Sequence, residues 1–184
     1  NLLPDLATFQ PTFLLAVPRV FEKVYNSSEQ KAGSGARLRL FRWAAKVSIA
    51  MSEATSGGAG PSVALKAQHA LASALVYSKL RSALGGKAQY AISGGAPLGE
   101  RLGHFYRGIG LTILEGYGLT ETTAPTAVNR PGLIKIGTVG PSFPGTSTRI
   151  DDDGEILISG EHVFRGYRNN PQATAEALVD GWFR

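Results

Sequence analysis

The spacing of apolar residues divides the chain in two. Residues 12–17, Thr-Phe-Leu-Leu-Ala-Val, form a compact apolar run that suits a buried parallel strand. Pro18 then stands where a first helical residue would, and helix-compatible residues follow to about Lys31, with Val20, Phe21 and Val24 on one side. Gly33-Ser34-Gly35 breaks the pattern. A second helix is predicted over 36–54, where Leu38, Phe41, Ala45 and Ile49 recur at helical spacing. A loop over Ser56–Pro61 precedes a long Ala- and Leu-rich helix from about Ser62 to Leu84, which Gly85-Gly86 can end. Ala88–Ile92 suits a short strand running into the glycine turn Ser93–Pro97. A helix from about Gly99 to Arg107 leads to a strand at Leu111–Leu114 and a second glycine turn at Gly116.

After residue 125 the helical period gives way to short β-like runs punctuated by Gly and Pro. Thr146–Ile150, the turn Asp151-Asp152-Asp153-Gly154 and Glu155–Ser159 read as a hairpin. Asn170-Pro171 starts a short helix through Leu178, and Gly181-Trp182-Phe183 resumes a strand. The expected class is α/β. Part of a layered, mostly parallel sheet domain with helices covers residues 1–130, and part of a β-barrel-like subdomain covers 131–184. Both parts are expected to be incomplete, because the chain opens on Asn1 rather than Met and stops inside a strand at Arg184. Exposed apolar surface and self-association follow from that expectation.

Composition narrows the options. The 184 residues are 43% hydrophobic, and no apolar run approaches the roughly 20 residues needed to cross a bilayer. Cysteine is absent, which excludes disulfides, a thiolate nucleophile and Cys-based metal sites. A cytoplasmic protein is expected. Residues 1–113 carry 13 Lys/Arg against 5 Asp/Glu, whereas residues 114–184 carry 6 against 9. The basic first part could attract phosphates, an anionic membrane surface or nucleic acid, with Arg37, Arg39, Arg42 and Lys46 lying mostly off the apolar stripe of their helix. An ordinary solvated helix face is the plainer reading.

The chemistry concentrates in Gly116-Tyr117-Gly118-Leu119-Thr120-Glu121-Thr122-Thr123. Glycines let the backbone turn sharply and lie close to a ligand. Tyr117 offers an aromatic face for a flat heterocycle. The Thr120 hydroxyl can meet a phosphate oxygen, and the adjacent Glu121 carboxylate can hold Mg²⁺ together with phosphates. The structural alternative is a glycine turn whose Thr120 and Glu121 cap a following helical turn. Other patterns fail on inspection. Gly108-Ile109-Gly110 lacks the third glycine of a dinucleotide fingerprint, and Gly85-Gly86-Lys87 lacks the rest of a Walker loop. Ser93 is not in a nucleophile elbow, since Ala91 holds the first glycine position. His69, His104 and His162 show no close pairing, and the Asp151–Asp153 run is a turn rather than a calcium loop.

Taken together, three stretches resemble the adenylate-forming superfamily of acyl-CoA synthetases, luciferases and peptide-synthetase adenylation domains. Ser93–Pro97 resembles its adenine-pocket loop and Gly116–Thr123 its Tyr-Gly-Leu-Thr-Glu motif. Gly166-Tyr167, Pro171, Thr174 and Asp180–Arg184 resemble the approach to its Thr-Gly-Asp motif. Val17–Val24 is similar to the long-chain fatty acyl-CoA synthetase branch. The resemblance implies that a long-chain fatty acid and ATP give acyl-AMP and pyrophosphate, and that coenzyme A then displaces AMP. It implies that Tyr117 stacks on adenine, with Gly116 and Gly118 beside it, and that Gly94, Gly95, Ala96 and Pro97 line the adenine and acyl pocket. Thr120 would contact the α-phosphate and Glu121 would hold Mg²⁺, these two being the catalytic pair. Fatty acid, ATP and coenzyme A are the implied partners, with no nucleic acid; contact with a membrane surface stays open. The family's upstream phosphate loop, ribose-binding Asp and C-terminal catalytic Lys have no counterpart within these residues, so this stretch alone is expected to be inactive. A fatty acyl–AMP ligase and a non-catalytic acyl- or nucleotide-binding module remain the alternatives.

Overall fold

The computed structural model describes residues 2–58 and 60–184, so Asn1, and Ala59 of the expected loop, lie outside the described residues. The chain is mixed α/β and forms two compact units, the first ending at Leu114 and the second running from Glu115 to Arg184.

In the first unit, helix α1 (Leu2–Phe9) precedes strand β1 (Phe13–Ala16). Helix α2 (Pro18–Ala32) has Pro18 in its first turn, where a missing N–H costs nothing. Helix α3 (Gly35–Ser56) follows. The long helix expected over 62–84 is interrupted. Helix α4 (Val63–Ala72) starts at Ser62, whose hydroxyl accepts the Leu65 N–H at 3.2 Å, and a wider π-helical turn over Ser73–Tyr77 leads into α5 (Ser78–Ala83). The wider turn brings Tyr77 inward, where its hydroxyl donates to the Ala44 carbonyl of α3 at 2.7 Å. Apolar periodicity carries no mark of one extra residue in a turn, so the sequence did not reveal it.

Strand β2 (Tyr90–Ser93) pairs in parallel with β1, in a register from Phe13–Tyr90 to Ala16–Ser93. Helix α6 (Glu100–Gly108) packs on α3, and Ser48 ties the two by donating to the Phe105 carbonyl at 2.6 Å. Strand β3 (Thr112–Tyr117) begins beside β2, with the Thr112 N–H on the Gln89 carbonyl at 2.9 Å. The core holds Phe21, Tyr25, Phe41, Phe105 and Tyr106, whose rings meet edge to face at 4.9–5.5 Å between centroids. Strand β1 departs from the expected burial: Leu14 and Ala16 pack on the core, but Phe13 and Leu15 are 48% and 77% exposed. A strand alternates its side chains, and the helices of this unit cover one face only.

In the second unit, Gly116 and Tyr117 at the end of β3 pair antiparallel with β4 (Ala127–Val128). Strands β5 (Ser147–Ile150) and β6 (Ile156–Ser159) form the expected hairpin, Ser147 opposite Ser159 and Ile150 opposite Ile156. At its turn the Asp153 carboxylate accepts the Glu155 N–H at 2.9 Å, which is why the acidic run is turn chemistry. Helix α7 (Pro171–Ala177), capped by Asn170, leads to β7 (Leu178–Val179) and β8 (Trp182–Phe183). The sheet order is β5-β6-β8-β7, with antiparallel neighbours throughout. The division between units falls at Leu114/Glu115, ahead of the boundary expected at 130/131. Buried Asn129 explains the difference. It donates to the carbonyls of Glu115 and Thr138 and accepts the Lys135 N–H, which binds residues 115–130 to the segment holding Lys135 and Thr138.

Candidate active site

The loop between β3 and β4 carries the predicted chemistry. Tyr117 is half-buried, its carbonyl accepts the Thr126 N–H at 2.8 Å, and among the described residues no other ring stacks on it. Gly118 is obligatory by space, because a Cβ there would run into the Ala124 carbonyl. Residues Thr120–Thr122 form a single 3₁₀ turn. The cap is Thr122, not Thr120 or Glu121: the buried Thr122 hydroxyl accepts the Leu119 N–H at 3.0 Å and is joined by the Thr126 hydroxyl at 3.0 Å. Capping by Thr122 leaves the Thr120 side chain exposed and without a hydrogen-bond partner among the described residues. Thr123 and Ala124 then take φ values of 53° and 78°, a left-handed pair that returns the chain to β4.

Glu121 is held from the segment that precedes α7. Its carbonyl accepts the Phe164 N–H at 2.7 Å, and its Oε1 accepts the Tyr167 hydroxyl at 2.9 Å. Its other carboxylate oxygen has no partner among the described residues. The Tyr167 hydroxyl holds its proton above the usual tyrosine range, first because it donates to Glu121 and then through partial desolvation. Tyr167 falls in the stretch that resembles the approach to the Thr-Gly-Asp motif, but the sequence does not assign it to the site, because it lies 46 residues from Glu121 and no local pattern signals the pair.

The stretch Ser93–Pro97 belongs to the first unit. Ser93 ends β2 fully buried, its hydroxyl unpartnered, and residues 95–97 are exposed. Gly95 sits at φ +83°, a left-handed conformation that side chains rarely adopt. Gly94, Gly95, Ala96 and Pro97 thus lie in one unit, and Gly116, Tyr117, Gly118, Thr120 and Glu121 at the start of the other.

Among the described residues no three His, Cys, Asp or Glu side chains come together as a metal cage. One carboxylate with a free oxygen still fits Mg²⁺, which keeps several waters and takes phosphate oxygens for the rest of its shell. The histidine rings have structural partners: His69 meets the Gly108 carbonyl at 2.7 Å, His104 meets the Ser52 hydroxyl at 3.0 Å, and His162 meets the Thr146 hydroxyl at 3.4 Å. No helix among the described residues is long and apolar enough to cross a membrane.

The turn after β3 thus presents a tyrosine, an unpartnered hydroxyl and a braced carboxylate within five residues. The chain belongs to the AMP-binding enzyme family, whose model matches residues 1–168. It is 57% identical over all 184 residues to the long-chain-fatty-acid–CoA ligase FadD15 of Mycobacterium bovis, and 34% identical over 98% of its length to long chain acyl-CoA synthetase 4 of Arabidopsis thaliana. It spans 30% and 29% of those proteins. A crystal structure of the anthranilate CoA ligase AuaEII in complex with anthranoyl-AMP matches the whole chain and 28% of its own, with a TM-score of 0.62 at 18% identity, a likeness of fold.

Proposed function

We propose that this chain is the central part of a long-chain fatty acid–CoA ligase and carries the hydroxyl–carboxylate pair of its adenylation step. The observation that carries the proposal is the adjacency of Thr120 and Glu121 on one short turn, hydroxyl unpartnered and carboxylate half free, in a chain 57% identical to a protein of that name. In the first step a fatty acid carboxylate attacks the α-phosphorus of ATP, and pyrophosphate leaves with the electron pair of the broken anhydride. In the second, the coenzyme A thiol loses its proton to solvent, its sulfur attacks the acyl carbon, and AMP leaves with the electron pair of the broken acyl–oxygen bond.

Negative charge gathers on the non-bridging α-phosphate oxygens during the first step. The Thr120 O–H donates to one of them and stabilises that charge. The Tyr117 ring offers its face to adenine, with Gly116 and Gly118 keeping the backbone close. Gly94, Gly95, Ala96 and Pro97 are the residues assigned to the adenine and acyl pocket, on their likeness to the family's loop. Glu121 would hold Mg²⁺, which would neutralise phosphate charge there. Residues 1–130 belong to the N-terminal adenylation domain of that enzyme and 131–184 to its β-rich subdomain.

The test is alanine substitution of Thr120 and of Glu121 in the full-length protein, read by fatty-acid-dependent ATP–pyrophosphate exchange. Losses of at least about a hundredfold are expected for Glu121 and about tenfold or more for Thr120. Exchange near parental rates in both variants refutes the assignment. Release of acyl-AMP with no acceleration by coenzyme A would instead make the protein a fatty acyl–AMP ligase.

A further inference from the structure

Glu121 is half-buried on a turn of three residues, and a carboxylate there has rotamer freedom to lose before it can serve a cation. The second unit removes that freedom from a distance in sequence. The Tyr167 hydroxyl takes one carboxylate oxygen at 2.9 Å, and the Phe164 N–H takes the Glu121 carbonyl at 2.7 Å. The Thr123 hydroxyl donates to the His162 carbonyl at 2.7 Å, so residues 121–123 are pinned along 162–167. Tyr167 is itself fixed. Its ring meets the edge of Phe164 at 4.7 Å, and Phe164 meets Phe183 of β8 at 5.7 Å. Its N–H donates to the Thr174 hydroxyl at 2.9 Å, and that hydroxyl donates onward to the Asn170 carbonyl at 2.8 Å. The chain of contacts runs from the first turn of α7 through Thr174 and Tyr167 to the Glu121 carboxylate.

We infer that Tyr167 is a positioning residue: by binding one Glu121 oxygen it turns the other toward the divalent cation that accompanies the nucleotide. A hydroxyl suits this task. It donates a hydrogen bond without adding positive charge, so the carboxylate keeps its full charge for the cation, which an Arg or Lys in the same place would offset. One oxygen engaged and one free gives a single-oxygen contact, the kind Mg²⁺ accepts when phosphates and waters supply the remainder. This inference rests on the cation-holding role proposed for Glu121.

The experiment compares Tyr167→Phe, Thr174→Val and Glu121→Gln with the parent in the full-length protein. Tyr167→Phe keeps the ring against Phe164 and removes only the hydroxyl. Three quantities are read: the Mg²⁺ concentration at half-maximal ATP–pyrophosphate exchange, the exchange rate at saturating Mg²⁺, and the affinity for Mn²⁺ measured by electron paramagnetic resonance with a non-hydrolysable ATP analogue present. Tyr167→Phe is expected to raise the half-maximal Mg²⁺ concentration and weaken Mn²⁺ binding by about tenfold, the lower range for a hydrogen bond to a charged group. The saturated rate should stay within about twofold, and the melting temperature should stay within a few degrees. Thr174→Val should act in the same direction and less. If Tyr167→Phe and Thr174→Val leave both cation measurements at parental values while Glu121→Gln loses them, the positioning role is wrong and the Glu121 assignment stands. If Glu121→Gln also matches the parent, the Glu121 assignment itself is wrong.

Discussion

Asn129 donates a side-chain hydrogen bond to the carbonyl of Glu115 at 3.3 Å, across the base of the loop that carries Tyr117 and Glu121. The same buried amide donates to the Thr138 carbonyl and accepts the Lys135 N–H at 2.9 Å. One side chain therefore bridges three backbone groups, of which the Glu115 carbonyl also accepts the Asn129 backbone N–H at 3.0 Å. Asn129→Ala is expected to destabilise the second unit by about 1–2 kcal/mol, through loss of the hydrogen bonds to Thr138 and Lys135. Asn129→Asp should cost at least as much, since a carboxylate would face two carbonyls. Urea unfolding followed by Trp182 fluorescence in a Trp43→Phe background measures this, and equal midpoints for parent and variants would show that Asn129 adds no stability.

Gly118 lies against the Ala124 carbonyl with no room for a methyl group. Gly118→Ala should displace the Thr120–Thr122 turn and reduce ATP–pyrophosphate exchange of the full-length protein by about a hundredfold or more, as misplacement of reacting groups does. Gly132→Ala is a control for adding a methyl at a glycine with open space around it, at φ +84°. It should cost stability alone. A Gly118→Ala enzyme with parental exchange would show that the turn plays no part in the reaction.

Ala124 carries a side chain at φ 78°. Ala124→Gly relieves a left-handed conformation that costs about 1 kcal/mol for an L-residue, and the gain is partly offset by a more flexible unfolded chain. A small rise in stability, about 0.5 kcal/mol, is expected in the same unfolding assay. A clear loss would indicate that the methyl group makes a contact worth more than the strain.

Burial raises the pKa of Tyr77 and of Tyr106 well above the ordinary tyrosine value, and their hydroxyls donate to the carbonyls of Ala44 and Phe21. Both groups are neutral in the folded first unit and ionise near pH 10 once it unfolds. Their contribution is therefore complete below about pH 10 and is lost as pH rises from there toward the folded values. The urea midpoint, followed through Trp43, should fall between about pH 9.5 and 11. In the Tyr77→Phe and Tyr106→Phe double variant it should start lower, by about 1 kcal/mol for each hydrogen bond lost, and fall less steeply. Parallel pH profiles for parent and variant would contradict the assignment.

Phe9, Phe13, Leu15 and Val17 are 82%, 48%, 77% and 54% exposed. The isolated 184-residue chain is expected to self-associate through this apolar surface at micromolar concentration. Sedimentation velocity should show a concentration-dependent species that Leu15→Lys, at an outward position of β1, reduces. A monomer at all concentrations would count against it.

Local order fixed much of the architecture. Pro18 and Ser62 mark helix starts, Asp153-Gly154 closes the hairpin, and Gly116–Thr123 marks the turn after β3, because each depends on neighbours within a few residues. Long-range contacts decided the rest. That β1 buries one face only depends on which helices cover the sheet, and the wider turn at Ser73–Tyr77 answers to the Ala44 carbonyl on another helix. The unit boundary at Glu115 follows from hydrogen bonds that Asn129 makes across the fold. The Tyr167 brace on Glu121 spans 46 residues. Sequence periodicity records backbone conformation and sidedness, which are local; the partner of a hydroxyl or a carboxylate is chosen by how distant segments pack.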